Sequence, residues 1–339
     1  MVKLSHKMVF GLSCFLVAVT SISILVAEGP KISDPTKVDS DYALQGEYSG
    51  SYEDEDGNTV KAGAQVIASG NGKFRIAFYH GGLPGDGFKN DKSTIVRADG
   101  ELKDGQVRFE HKELGTAVLN DGRLELYDLT GKAGAALAKV HRKSSTLGKK
   151  PPAGAVVLFN GKDVDAWKNG KKAPDGLLMT GQTSKARFQD HYVHVEFRIP
   201  YQPLDRGQAR GNAGIYVQGR YEVQMLDSFG LVGKMNECGG VYSVSDTPIN
   251  MCFPPLVWQT YDIYYTAARY DNAGKLMTNP WMTVYHNGVK IHDKLELPGN
   301  RNTTAAPLAA GPEAGPVYLQ DHGCPVRFRN VWVVESAQQ

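Results

Sequence analysis

Two short segments hold side chains suited to moving protons on a neutral, hydroxyl-rich substrate. In GIYVQGRYEVQM (214–225), Tyr216, Gln218, Glu222 and Gln224 alternate with Ile215, Val217, Val223 and Met225. Successive side chains of a strand point to opposite faces, so the register of the hairpin decides whether the polar residues converge. A two-residue turn at Gly219-Arg220 pairs Gln218 with Tyr221 and mixes polar with apolar side chains on both faces. A three-residue connection, with Gly219 at positive φ, instead puts Tyr216, Gln218, Glu222 and Gln224 on one face and the aliphatics on the core face. A carboxylate, amides and a phenol on one surface match the donors and acceptors of a sugar. The alternative is the solvated side of an outer sheet. The second segment, QDHG (320–323), ends the run VYLQ and brings Gln320, Asp321 and His322 together. An imidazole titrates near neutral pH and can act as acid, base or oxyanion partner; a turn histidine bonded to backbone is equally compatible with this sequence.

Other charged side chains cluster around these. RGNAG (210–214) places Arg210 and Asn212 just ahead of the polar strand, where a guanidinium can clamp a hydroxyl pair or an enolate; Arg206 is nearby in sequence. Asp227 follows the second strand, either at a cleft rim or as a turn former before Ser228 and Gly230. In HYVHVEFR, His194, Glu196 and Arg198 share a face, as substrate contacts or as a cross-strand charge network. Trp167, Trp258 and Trp281 offer rings for stacking on a pyranose, although most are expected in the core, and His286 in the HNGV hairpin is expected to face solvent. Asp, Glu and His show no diagnostic metal-ligand spacing. No metal ligand is assigned, and no cofactor.

These residues need a scaffold, and the pattern predicts an all-β one. Short alternating runs from Gly46 to about Arg142 are broken by Asp56-Gly57, Asn71-Gly72, Asp99-Gly100, Asp104-Gly105 and Asp121-Gly122, the turn chemistry of hairpins. A small antiparallel sandwich or barrel over 40–145 follows. GGLPGDG (81–87) has no helix signal after it and reads as a long turn rather than a phosphate loop. RKSSTLGKKPP is basic, proline-containing and aperiodic, so 146–154 reads as a linker. Strand patterns with Gly and Asn turns then continue across 155–336, the signature of a two-sheet jelly roll.

The 339 residues exceed the usual size of one domain, and 38 glycines fit a turn-rich β protein. A net charge of +2 supplies no field for nucleic acid or an anionic membrane, so a neutral partner is expected. Lys3 and Lys7 precede an apolar run from Met8 to Ala27. This is the layout of a signal peptide at 1–27, with a membrane anchor as the alternative. Export to the periplasm or the exterior is expected, with no integral membrane domain after cleavage. Cys238, Cys252 and Cys324 then remain, and Cys238 and Cys252 form either a bridge or two buried thiols.

VVLFNGKDVDAW (156–167), VEFR (195–198), RGNAGIYVQGRYEVQMLDSFG (210–230), CGGVYSV (238–244), WQTYDI (258–263), TVYHNGV (283–289) and LQDHGCPVRFRNVWV (319–333) stand in one order along the chain. In that ordered set the second half resembles the 3-keto-disaccharide hydrolase family. Ala213 replaces an expected serine in the turn before the polar strand, and Cys324 a residue that is usually not cysteine. The resemblance implies a concanavalin A-like lectin/glucanase jelly roll that cleaves glycosides carrying a ketone at C3. The first half resembles an N-terminal domain of exported, Planctomycete-like members.

A C3 ketone acidifies the hydrogen on C2, so cleavage can proceed by proton removal, enediolate formation and expulsion of the C1 substituent. That route needs a base, a donor to the enolate oxygen and an acid for the leaving group. Direct hydrolysis needs two carboxyl groups at fixed separation across the anomeric carbon, and the sequence leaves both routes open. Glu222 and His322 are the expected catalytic pair. Arg210, Asn212, Tyr216, Gln218, Gln224, Asp227, Glu196, Gln320 and Asp321 are the expected substrate contacts. A non-catalytic, lectin-like carbohydrate binder is the alternative function on the same fold.

Overall fold

The computed structural model describes residues 29–54 and 56–336; the expected signal peptide lies outside them. Among the described residues, no helix is long and apolar enough to cross a membrane.

The first half is a closed eight-stranded barrel with strands in sequence order. Its strands are β1 (Gly46–Glu53), β2 (Thr59–Gly70), β3 (Lys73–His80), β4 (Val96–Lys103), β5 (Gln106–His111), β6 (Gly115–Asn120), β7 (Arg123–Tyr127) and β8 (Ala133–Val140). Asn71-Gly72, Asp104-Gly105 and Asp121-Gly122 form two-residue turns with positive φ at both positions, the twist that matches adjacent strands. Asp99-Gly100 is not a turn, contrary to the expectation from its dipeptide. It lies inside β4, where a Cβ on Gly100 would come within 2.5 Å of the Phe109 ring on the neighbouring strand β5, so the glycine serves close packing between strands rather than chain reversal.

The second half is a two-sheet sandwich. Its strands are β9 (Val156–Phe159), β10 (Gln182–Thr183), β11 (His191–Arg198), β12 (Ala213–Val217), β13 (Tyr221–Met225) and β14 (Trp258–Thr266). The series continues through β15 (Arg269–Tyr270), β16 (Leu276–Thr278), β17 (Trp281–His286), β18 (Val289–Glu296), β19 (Tyr318–Leu319) and β20 (Arg327–Glu335). A small sheet of order β10-β19-β12-β13 faces a large one of order β18-β17-β14-β11-β20-β9. Ile215, Val217, Val223, Met225 and Leu319 of the small sheet share one buried core with Val193, Val195, Phe197, Ile263 and Val284 of the large one. The inward residues of each sheet are thus the aliphatic half of each alternating run, and the polar half is turned outward.

Residues 142–149, which include the first part of the stretch read as a linker, are bound, while 150–154 are exposed. Arg142 donates to both oxygens of Glu47 at 2.5 and 2.7 Å, and Ser144 Oγ lies 2.6 Å from Thr260 Oγ1. Gly148 N–H donates to Glu196 at 2.6 Å, and the Lys149 carbonyl accepts from Asn330 and Trp332. The polar, basic composition of 142–149 is met by Glu47 of the barrel and by partners on the outer face of the large sheet, which pattern reading takes for solvent. The GGLPGDG turn is likewise packed: Leu83 lies against Gly63, and Gly85 against Met251 of the sandwich.

Candidate active site on the outer face of the small sheet

The hairpin β12–β13 has the three-residue connection that segregates its side chains. Val217 pairs with Tyr221, Tyr216 with Glu222 and Ile215 with Val223, while Gln218 and Gly219 take φ of 50° and 62°. Tyr216, Glu222 and Gln224 therefore share the outer face, opposite Ile215, Val217, Val223 and Met225. β19 extends that face on the other side, with Tyr318 beside Tyr216 and Gln320 N–H donating to the Gly214 carbonyl. Residues 239–242 run along the free edge of β13, where Tyr242 N–H donates to the Glu222 carbonyl.

Glu222 is the centre of this face. Its carboxyl lies over Gly214, where a Cβ would stand 2.1 Å from Glu222 Oε1, so only glycine leaves room for it. Tyr216 Oη lies 2.7 Å from Glu222 Oε2 and 2.6 Å from the Thr304 carbonyl oxygen. One phenolic proton cannot serve both acceptors. The phenol donates to ionised Glu222 or, when it turns to the Thr304 carbonyl, leaves its oxygen to accept from a protonated Glu222. Burial pushes the Glu222 pKa up to about 7, against the opposing pull of the Tyr216 hydrogen bond. Near neutral pH this group therefore both gives and takes a proton.

Around it lie acceptor atoms without partners. Glu222 Oε1, Asn212 Oδ1 and Gln320 Oε1 are buried and make no hydrogen bond among the described residues. Native structures pair nearly all such groups with protein or a bound molecule; other unpartnered buried atoms occur elsewhere, Asp262 Oδ2 on the large sheet among them, but these three are all acceptors on the outer side of the small sheet. Gln320 Nε2 donates to Tyr216 Oη at 3.2 Å, and Asn212 Nδ2 and Gln224 Nε2 both reach the Gln208 side chain at 3.2 Å. Gln208 lies on the loop before β12, where no strand periodicity marks it in the sequence.

Of the remaining sequence candidates, His322 stays near this face, two residues past Gln320 in the chain; the others lie elsewhere. Gln218 occupies the turn, and its side chain bonds Gln189, Tyr265 and the Glu313 carbonyl. Arg210 and Asp227 form a buried ion pair at 2.6 Å, and Arg210 also donates to the Ala68 carbonyl of the barrel. Both residues, and Arg206 through the Ser69 carbonyl, join the two halves of the protein. Asp321 accepts from Thr180 and Gly323 as a turn residue. His322 is exposed, two residues past Gln320, and makes no hydrogen bond among the described residues. His286, expected in solvent, is buried within the sandwich and bonds Gln259 at 3.0 Å; β14 and β18 flank its strand. Trp258 stacks under the Arg329 guanidinium, 3.9 Å from its ring centroid, and Trp167 is core. Cys238, Cys252 and Cys324 are buried free thiols.

Glu196 sits on the outer face of the opposite sheet, separated from Glu222 by the whole core. There His194 contacts Asp262 at 2.9 Å and Glu196 at 3.8 Å, and Glu196 also takes Arg329 at 2.7 Å. This is the cross-strand charge network, closed over by the bound strap at Gly148. Burial works against ionisation of both acids, but hydrogen bonds led by the one from His194 hold each down at about 2. For His194, burial acts downward and the two carboxylates outweigh it, so its pKa is raised above 6.5. The linkage has two signs. The carboxylates contribute stability above their unfolded pKa values near 4, which is lost as pH falls towards 2. His194 contributes stability below 6.5, which is lost as pH rises through its raised folded value. The contribution of this network is therefore full between about pH 4.5 and 6.5, and the difference in urea midpoint between the parent and His194→Gln is expected to shrink as pH rises above about 6.5; a difference that does not change with pH there would place the titrating group elsewhere.

Residues 154–334 match the family model described as a 3-keto-alpha-glucoside-1,2-lyase-like domain. A crystal structure of a candidate glycosyl hydrolase from Parabacteroides distasonis is 34% identical, covers 55% of this chain and 85% of its own, and superposes with a TM-score of 0.50. A second candidate glycosyl hydrolase from the same organism is 17% identical, with 58% and 100% covered and a TM-score of 0.41. No curated protein matches the sequence.

Proposed function

This chain belongs to the 3-keto-alpha-glucoside-1,2-lyase-like family, and on that premise we propose that it cleaves glycosides already oxidised to a ketone at C3, through C2 proton removal. Ionised Glu222 takes the C2 proton, the C–H electrons form the enediolate, and the C1–O bond breaks as the leaving group receives a proton. Water then adds across the resulting double bond, so the net outcome is hydrolysis. The observation that carries this reading is the set of unpartnered buried acceptors at Glu222, Asn212 and Gln320, which sugar hydroxyls satisfy as donors. Elimination is favoured over paired-carboxylate hydrolysis because, among the described residues, no second carboxylate acts on Glu222. Its ionisation responds to burial and Tyr216 alone, whereas retaining and inverting glycosidases need two carboxyl groups across the scissile bond.

In this scheme Tyr216, held by Gln320 and the Thr304 carbonyl, relays the proton at Glu222, and exposed His322 protonates the leaving group. Glu222 is only 2% exposed. Substrate access therefore requires displacing part of the cover over this face, which includes the Thr304 carbonyl bonded to Tyr216. The test is incubation of the protein with a 3-keto-disaccharide and its unoxidised parent in D₂O. Only the oxidised sugar is expected to be cleaved, with deuterium at C2 of the keto product. Turnover of the parent would point to ordinary glycosidase chemistry, and binding without cleavage of either would return the protein to the lectin-like class.

A further inference from the structure

The barrel is filled at one end and hollow at the other. Phe74, Val107, Leu119, Leu124 and Leu137 pack its interior towards the β2–β3 turn. Towards the opposite end the walls enclose a cavity of about 260 Å³, lined by Ile76, Phe78, Ala98, Phe109, Ala117 and Leu126 among others. The hollow has a sequence cause: alanines at 98, 117 and 135 line that level of the barrel, whereas leucines stand deeper on β6 and β8, at 119 and 137. The cavity is open to solvent at the strand ends, where Tyr52, His80 and His111 line it and Leu114 on the β5–β6 turn is 52% exposed. Tyr52 Oη lies 2.9 Å from His80 Nδ1, which leaves His80 Nε2 without a partner among the described residues.

Walls of this kind offer water no hydrogen bonds, whereas an apolar body gains both dispersion contacts and release from solvent. The volume equals that of on the order of nine waters at ~30 Å³ each, enough for one ring with a short tail or a medium chain. Hydrogen-bonding groups occur only at the mouth. We propose that the barrel is a binding site for a small neutral apolar alcohol or phenol, its body against Phe78, Phe109 and Leu126 and its hydroxyl at His80 and His111. This site is separate from the Glu222 face and does not depend on the reaction assigned to it.

Titration calorimetry on the intact protein, with 4-propylphenol and nonan-1-ol as probes and glucose as control, tests this. Saturable one-to-one binding is expected for at least one probe and none for glucose, and the preferred probe tells ring from chain. Ala98→Trp fills the cavity from its wall and is expected to weaken binding at least tenfold, with the far-UV circular dichroism of the parent. Ala135→Leu provides the same block with a smaller side chain if tryptophan disturbs folding. Absence of heat with both probes at millimolar concentration, or binding that persists in two folded blocking variants, overturns the proposal.

Discussion

Glu222→Gln is expected to lower kcat on a 3-keto-disaccharide by about 10²–10⁴-fold, the range that one positioned acid–base group contributes, with KM nearly unchanged. Glutamine keeps the shape over Gly214 and still meets Tyr216 Oη, so the substrate surface survives while the proton acceptor is lost. An interaction removed only from the transition state lowers kcat and kcat/KM together. The pH profile supplies an independent readout. With the Glu222 pKa raised to about 7 by burial, a base function requires kcat/KM to rise with pH through that value, since only the ionised form accepts the C2 proton. The same limb should vanish in the glutamine variant. Cleavage at full rate by both Glu222→Gln and His322→Ala would sink the residue assignment and leave the family membership untouched.

Removing Arg210 is expected to have the largest effect on stability. Its guanidinium is buried against Asp227 at 2.6 Å and also holds the Pro203 and Ala68 carbonyls. Arg210→Ala strands the Asp227 carboxylate in a water-poor interface, and breaking a buried pair from one side costs about 3–5 kcal/mol. The loss should appear as a fall in the urea midpoint. At temperatures where the variant stays folded, KM for the keto sugar should match the parent, because the side chain lies at the barrel junction. A large rise in KM with unaltered stability would restore Arg210 to the substrate site.

The two halves differ in how much of them local pattern could determine. Asn-Gly and Asp-Gly turns specify hairpin geometry through positive φ, which nearest neighbours decide, so most of the barrel's strands could be placed from sequence. Asp99-Gly100 escaped that reading because its glycine answers to Phe109 on the next strand. In the sandwich, alternation within 214–225 determined both the odd register and the shared face of Tyr216, Glu222 and Gln224, since a one-residue slip would have put the aliphatics in water.

Convergence between distant segments was a different matter. Arg210, Asp227 and Glu196 have the chemistry of ligand contacts, and composition gives no way to tell a guanidinium facing a sugar from one facing a barrel carbonyl. Their roles depend on docking of the barrel and on the strap at 142–149, both contacts between residues far apart in sequence. The proton balance at Glu222 likewise requires Thr304, brought to Tyr216 from 88 positions along the chain. Sequence by itself determined the β class, the hairpin register and the identity of the outward carboxylate, because strand periodicity and turn φ are local. The tertiary structure alone decided which charges are paired, which acceptors are left open and where the barrel stays hollow, because burial and partnership are set by whichever segments the folded chain brings together.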